Sequence, residues 1–408
     1  MSGSIASGVA KQLRFRQETT LNVPPGATGA QLLRRVTSEF SLEKQTYQSG
    51  EIRPDYQIAD FRHGSRTVQG TIRGELSCLT YAEFFEAALR STWAAGATTG
   101  ALTNVTASAS APHFVRAAGS FLTDGFKIGD VVRFAGWTAP ATANNARNYR
   151  ITALTATQMT VADLNGTTAT VTAKAAGDSV TCAVPGRKLI VPLSGHANDS
   201  FYIEEWHPDI LQSERFGGCR VSRLGLSLPA SGMATIDVGF LGIDQSNATA
   251  AYYTSPTAAT LTGILAAVNG RLRLGGTDIA TVTSLSLTVD GGHTSEAVVG
   301  SNVSPDVFPG RVQVSGSFSA FFQDGVLRDN FINEDEISLI AHLTATNANN
   351  SPVMGITMPR IKLGGARKTD GERGLMREFS FQALLNTTGG AGTSADQTTI
   401  AIQDTEVP

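Results

Sequence analysis

The apolar and polar positions of this chain fall mostly in the period-two pattern of β-strands. Thr67 to Leu76 alternates clearly, and Arg35 to Leu42 does so in part. Between them runs a long polar excursion, Tyr47 to Gly64. Thr80, with Glu83 three residues on, has the form of a helix capping box. It predicts a helix to about Arg90 with Phe84, Phe85, Ala88 and Leu89 on one apolar face. Further strands are predicted at Ser200 to Trp206, Cys219 to Leu228 and Ala234 to Leu241, the last two forming a hairpin.

The same order recurs. Val68-Gln69-Gly70-Thr71-Ile72 is answered by Val314-Ser315-Gly316-Ser317-Phe318, and Gly70 and Gly316 lie 246 positions apart, as do Phe85 and Phe331. In the second copy, strands are expected at Thr281 to Val289 and Gly310 to Phe322, with a polar excursion between them. A short helix at Leu327 to Ile332 follows, then strands at Ile337 to Leu343, Val353 to Leu363 and Leu375 to Leu384, with a charged turn at Arg367 to Arg373. A repeat of this length implies a duplicated domain. Only the first copy is interrupted, at 97–187, by short strands separated by turn signals such as Asp124-Gly125, Asn144-Asn145 and Asn165-Gly166. That insertion reads as a small β-barrel or sandwich. The expected division is an arm at 1–30, a first domain at 31–96 and 188–243, the insertion at 97–187, a linker at 244–259, a second domain at 260–390 and a tail at 391–408. The arm, marked by Pro24-Pro25-Gly26, either reaches a neighbouring subunit or is disordered. The expected fold class is mainly β (all-β with short helices): two tandem β-sandwich or barrel domains, each with a flanking helix, plus the inserted barrel.

Charged residues make up 16% of the chain, below the roughly 25% of an average protein. Such a composition suits a chain with large protein-covered surfaces. The formal net charge of −3 argues against tight nucleic-acid binding, which needs a basic excess. Cys78, Cys182 and Cys219 are far apart and read as free thiols. No signal-peptide core or membrane-length apolar run is visible in the sequence.

Catalytic and metal motifs are missing: no nucleophile elbow, phosphate loop or His-Glu-x-x-His occurs. The six histidines have no metal-site spacing and are expected at surfaces or interfaces. Glu204 and Glu205, adjacent on a strand, should point to opposite faces, one buried and one solvated. The Gly-Gly pairs at 275, 291 and 364 read as turns. The chain is expected to be neither an enzyme nor a cofactor or metal binder.

The run Pro25 to Ser38 resembles the N-terminal region of major tail tube proteins of long, non-contractile-tailed (siphovirus-type) bacteriophages. The resemblance continues through Ser49-Gly50-Glu51-Ile52, Val68 to Ile72 and Phe84 to Leu89, and more weakly through the strands after Pro192. Phe121 to Arg133 looks like a small β-domain inserted in phage structural proteins. The family implies rings that stack into a tube, a virion location with assembly in the host cytoplasm, and no membrane. The implied partners are further copies of the chain, the tape measure protein and DNA transiently in the lumen, and tail terminator and distal tail proteins at the ends. Simple members carry one domain and form hexameric rings, so a duplicated chain implies three copies in a pseudo-hexameric ring. The excursion loop reaches the adjacent ring in this family. That assigns ring-to-ring contacts to Glu51, Arg53, Asp55, Tyr56, Asp60 and Arg62, and to Val303 and Asp306 in the second copy. Two alternatives stand: a single-ring tail terminator or baseplate protein of the same fold, and a β-rich adhesion or carbohydrate-binding protein. The adhesion reading requires clustered Trp, yet Trp93, Trp137 and Trp206 lie in separate segments.

Overall fold

A computed structural model describes residues 5–164, 170–266, 268, 270–279, 281–369 and 374–408. The chain is mainly β, with two short α-helices among the described residues, Ala82–Leu89 and Val326–Ile332. Eight strands form one continuous antiparallel array in the order Thr37–Gln48, Phe61–Glu75, Thr235–Gly242, Gln212–Pro229, Val282–Asp290, Gln313–Phe321, Met376–Ala383 and Val353–Thr369. The first four belong to one sequence copy and the last four to the other. Their junction pairs Arg223 to Pro229 with Asp290 to Ser284.

The repeat extends to register. Gly70 faces Phe240, and Gly316 faces Phe381. Each glycine leaves room for an aromatic ring: a Cβ on Gly70 would strike Phe40, and one on Gly316 would strike the Ser286 carbonyl and Phe381. Bulges recur at matching places, between Val221 and Arg223 and between Leu363 and Gly365. A bulge bends its strand, so the upper part of each long strand leaves the array. There it pairs with Phe201–His207 in one copy and with Ile337–Thr344 in the other. These upper strands fold over the apolar side of the array and enclose one core spanning both copies. Phe84 of the first helix contacts both Phe201 and Phe240, with ring centroids 5.2 and 5.3 Å apart.

Several segments differ from the sequence reading. The expected arm at 1–30 contains a core strand, Gln12–Gln17, which buries Leu13 and Phe15 and pairs with Phe201–His207. Its flanking arginines hid the alternation: Arg14 reaches Glu204, and Arg16 binds the carbonyl of Gly26. The expected tail contains a buried strand, Ala401–Asp404, held between Arg187–Ile190 and Val353–Thr369. The expected linker is paired as well, through Asp244–Ala248 and Ser255–Thr257. No capping box forms: Tyr81 is the N-cap, and the Thr80 hydroxyl meets Arg34 and Thr260 instead. Glu204 and Glu205 are both buried, because each has a partner. Glu204 accepts from Ser213 and the Tyr252 and Tyr253 N–H groups, while Glu205 pairs with Lys11 at 2.9 Å. The Gly275-Gly276 pair does make a turn, with φ of 55° and 82°. The turn expected at Asn165-Gly166 and most of the charged turn at 367–373 lie outside the described residues.

Seven antiparallel strands between Thr98 and Ala183 form the inserted unit, with Phe114, Phe134, Trp137 and Tyr149 in its own core. It docks on the second copy through buried polar contacts. Arg150 forms an ion pair with Asp278, the Gln403 side chain binds both the N–H and the C=O of Val131, and Asn148 donates to Ser351. His342, fully buried, donates from Nε2 to the Gly129 carbonyl at 2.7 Å. Burial lowers its pKa to about 4, so the ring is neutral at neutral pH.

Candidate assembly surfaces

The joined array has two faces. One is the core. Below the bulges, the other carries Ser, Thr, Gln and charged side chains and curves into a groove of about 970 Å³. Period-two alternation puts Gln69, Thr71 and Arg73 on this face while Val68 and Ile72 point inward. Among the described residues, it holds the carboxylates of Glu39, Glu43, Glu75, Asp237, Asp290 and Glu378 against the guanidiniums of Arg73, Arg223 and Arg367. Arg73 and Asp237 form an exposed ion pair on this face at 2.8 Å, and the carboxylates remain in excess. An exposed pair of this kind adds at most about 1 kcal/mol.

Both outer edges of the array lack a strand partner among the described residues: Thr37–Gln48, and Val353–Thr369 below its bulge. An unpaired edge is a template for another chain.

The structure separates the eight residues expected to act together. Glu51, Arg53, Asp55, Tyr56 and Asp60 lie on an exposed hairpin tip between Thr37–Gln48 and Phe61–Glu75, and Arg62 lies at the start of the second strand beside it. Their charges pair locally, Arg53 with Asp55 at 3.0 Å and Arg62 with Asp60 at 2.7 Å. The tip also carries side chains that the polar appearance of the segment concealed: Ile52 and Tyr56 are essentially fully exposed, and Ile58 and Phe61 largely so. Val303 and Asp306 sit elsewhere. Val303 bridges to Arg66 at the root of that hairpin, and the Arg66 N–H donates to the Asn302 carbonyl at 2.8 Å. Asp306 pairs with Arg220 at 2.6 Å, beside the buried Val307. Arg90, at the end of the first helix, grips both ends of this second excursion through the carbonyls of Gly291 and Gly310. The first excursion therefore projects, and the second lies against the first domain.

At the opposite end of the array, the two copies also differ. The first helix buries Phe84, Phe85 and Leu89, whereas no residue of Val326–Ile332 is fully buried, and Leu327 and Phe331 pack only half-buried against the core. Beside it, Phe321, Phe322, Val326 and Leu327 line an open groove of about 470 Å³. Sequence reasoning missed this surface because it appears only when the two copies are compared in space.

Among the described residues, one group has metal-ligand spacing: Glu205, His207 and Glu214 place ligand atoms within 4.8 Å of one another. Lys11 already neutralises Glu205 there, so the arrangement is that of an ion-paired strand edge. The three cysteines are free and buried. No helix among the described residues is long and apolar enough to cross a membrane.

A family model described as phage tail tube protein matches residues 8–383. The chain belongs to that family. No curated protein matches it. The matched span takes in both copies of the tube unit and the insertion between them. Membership makes this tail tube chain a structural component of a phage virion that assembles with copies of itself. The projecting hairpin, open edges and concave polar face are the candidate assembly surfaces of this tube subunit.

Proposed function

We propose that three copies of this chain close into a ring of six similar domains, and that the rings stack into the tail tube through which DNA passes during ejection. The observation that carries this reading is the junction within the chain. Gln212–Pro229 of one domain pairs with Val282–Asp290 of the next, so two equivalent units already sit edge to edge as neighbours in a ring. Repeating that junction between chains joins Val353–Thr369 to Thr37–Gln48 of the following copy. This is a heterologous contact that closes by rotation. Equivalent registers place Arg367 opposite the neighbour's Ser41, as Gly225 lies opposite Thr288. Three chains then supply about twenty-four strands, beyond the 16 to 18 that already leave an aqueous channel.

The concave polar face lines the lumen in this arrangement. Its acidic excess gives passing DNA no counter-charge to hold it. The insertion docks on the strands that fold over the other side of the array, which favours a position on the tube exterior. The projecting tip at 49–60 makes the ring-to-ring contact, and the excursion holding Val303 and Asp306 braces its root.

Oxidation of a Ser41→Cys, Arg367→Cys double variant tests the ring. The native thiols are buried, so the new pair alone should react. The expected result is covalent multimers that end at three chains. A product that remains monomeric removes the lateral junction.

A further inference from the structure

The lower end of the first domain is closed by the chain itself. Leu76 donates its N–H to the Ala234 carbonyl at 2.8 Å. Leu265 enters beside them: its N–H donates to Leu76, and its carbonyl accepts from Ala234 at 2.9 Å. Bridges from Ser77 to Ile264 and from Met233 to Ala266 flank the insertion. Leu76, Ala234 and Leu265 are all 0% exposed.

The second domain has the same frame without its third member. Phe322 and Leu375 occupy the places of Leu76 and Ala234, and the Phe322 N–H donates to the Leu375 carbonyl, again at 2.8 Å. Among the described residues, no segment enters beside them. Phe322, which lines the open groove, is 39% exposed, and Leu375 is 36% exposed.

The segment that closes the first domain leads directly into the strand Arg271–Leu274, which pairs with Ile337–Thr344. The counterpart of that strand is Gln12–Gln17, which pairs with Phe201–His207. Leu272 faces Ala341, and Leu13 faces the equivalent Glu205. Counting back from this register, Leu272, Arg273 and Leu274 match Leu13, Arg14 and Phe15. Val268 then matches Val9, Ile264 matches Ile5, and Leu265 matches Ala6. In the single chain, Ile5 is 91% and Val9 99% exposed. The segment before this strand reaches back to the preceding domain. For Ile264–Ala266, the preceding domain is in the same chain; for Ile5–Ser7 in a ring, it belongs to the neighbouring copy.

We propose that residues 5–9 of each chain cross to the neighbouring copy and add a short strand beside Phe322 and Leu375, as Ile264–Ala266 does within the chain. This inference rests on the ring reading above. The exchange is β-augmentation, in which backbone hydrogen bonds supply affinity and side-chain seats supply register. It covers exposed Ile5 and the open groove together. It also makes assembly depend on the arm, while each chain folds without it.

An Ile5→Cys, Gln323→Cys double variant tests this. Those positions match the bridged pair Ile264 and Ser77. Opposed residues in an antiparallel pair lie about 4.5–5.5 Å apart at Cα, within disulfide reach. Oxidised assemblies should run as multi-chain species on denaturing gels, with each single variant monomeric. If Ser41→Cys, Arg367→Cys cross-links between chains while this pair does not, the arm exchange is wrong and the ring stands. If neither pair cross-links, both fall. A disulfide closed within one chain also overturns the exchange. As a second readout, Ile5→Asp should raise the concentration needed for assembly at least about tenfold and leave the melting of the isolated chain unchanged. Unaltered assembly contradicts the proposal.

Discussion

Gly316 faces Phe381 with no room for a methyl group, since a Cβ would meet the fixed Ser286 carbonyl as well as the ring. Gly316→Ala should therefore cost about 1–3 kcal/mol of stability through overpacking, read by urea unfolding. An unchanged midpoint would show that the strands can separate. His342 gives a pH-dependent counterpart. An unfolded histidine takes up its proton near pH 6.5, but burial holds this one back to about 4. The folded chain therefore loses stability as pH falls below 6.5, by up to about 3 kcal/mol once pH 4 is reached. His342→Gln keeps a donor for the Gly129 carbonyl without a titrating ring. The stability gap between the two proteins should shift in favour of the variant between pH 7 and 4, and a constant gap would remove His342 from the acid response.

At the scale of elements, the two excursions differ in placement: the first projects, and the second is held against the first domain by Arg66, Arg90 and Arg220. Deleting Arg53 to Asp60 should leave a soluble chain that melts with the wild type, because the tip is exposed and its ion pairs are local. Such a chain should not stack, and normal tubes from it in electron micrographs would refute the tip contact. Alternation made the array legible in the sequence, and the 246-position repeat around Gly70 and Gly316 made its duplication legible. The strand Gln12–Gln17 was hidden because Arg14 and Arg16 find partners only in the folded chain. Ala401–Asp404 was too short to show a period. The separation of Val303 and Asp306 from the tip depends on Arg66, Arg90 and Arg220, all distant in sequence. Of the candidate surfaces, the hairpin was visible as a polar excursion. Its apolar residues and the open groove emerged only from solvent exposure in the fold.

At the scale of the whole molecule, the proposed ring repeats between chains a junction that already exists within one chain. Two domains share a sheet across Gln212–Pro229 and Val282–Asp290, and the unpaired edges on either side repeat the same halves of that junction. A closed ring removes both edges, which would otherwise invite uncontrolled pairing. It also gathers the carboxylate-rich faces around one channel. The most direct test of the central claim is the rotational symmetry of tubes averaged from cryo-electron images. Three-fold symmetry, with six similar tube domains and three inserted units per ring, is the predicted result. Six-fold symmetry of whole chains, with six inserted units per ring, would contradict it.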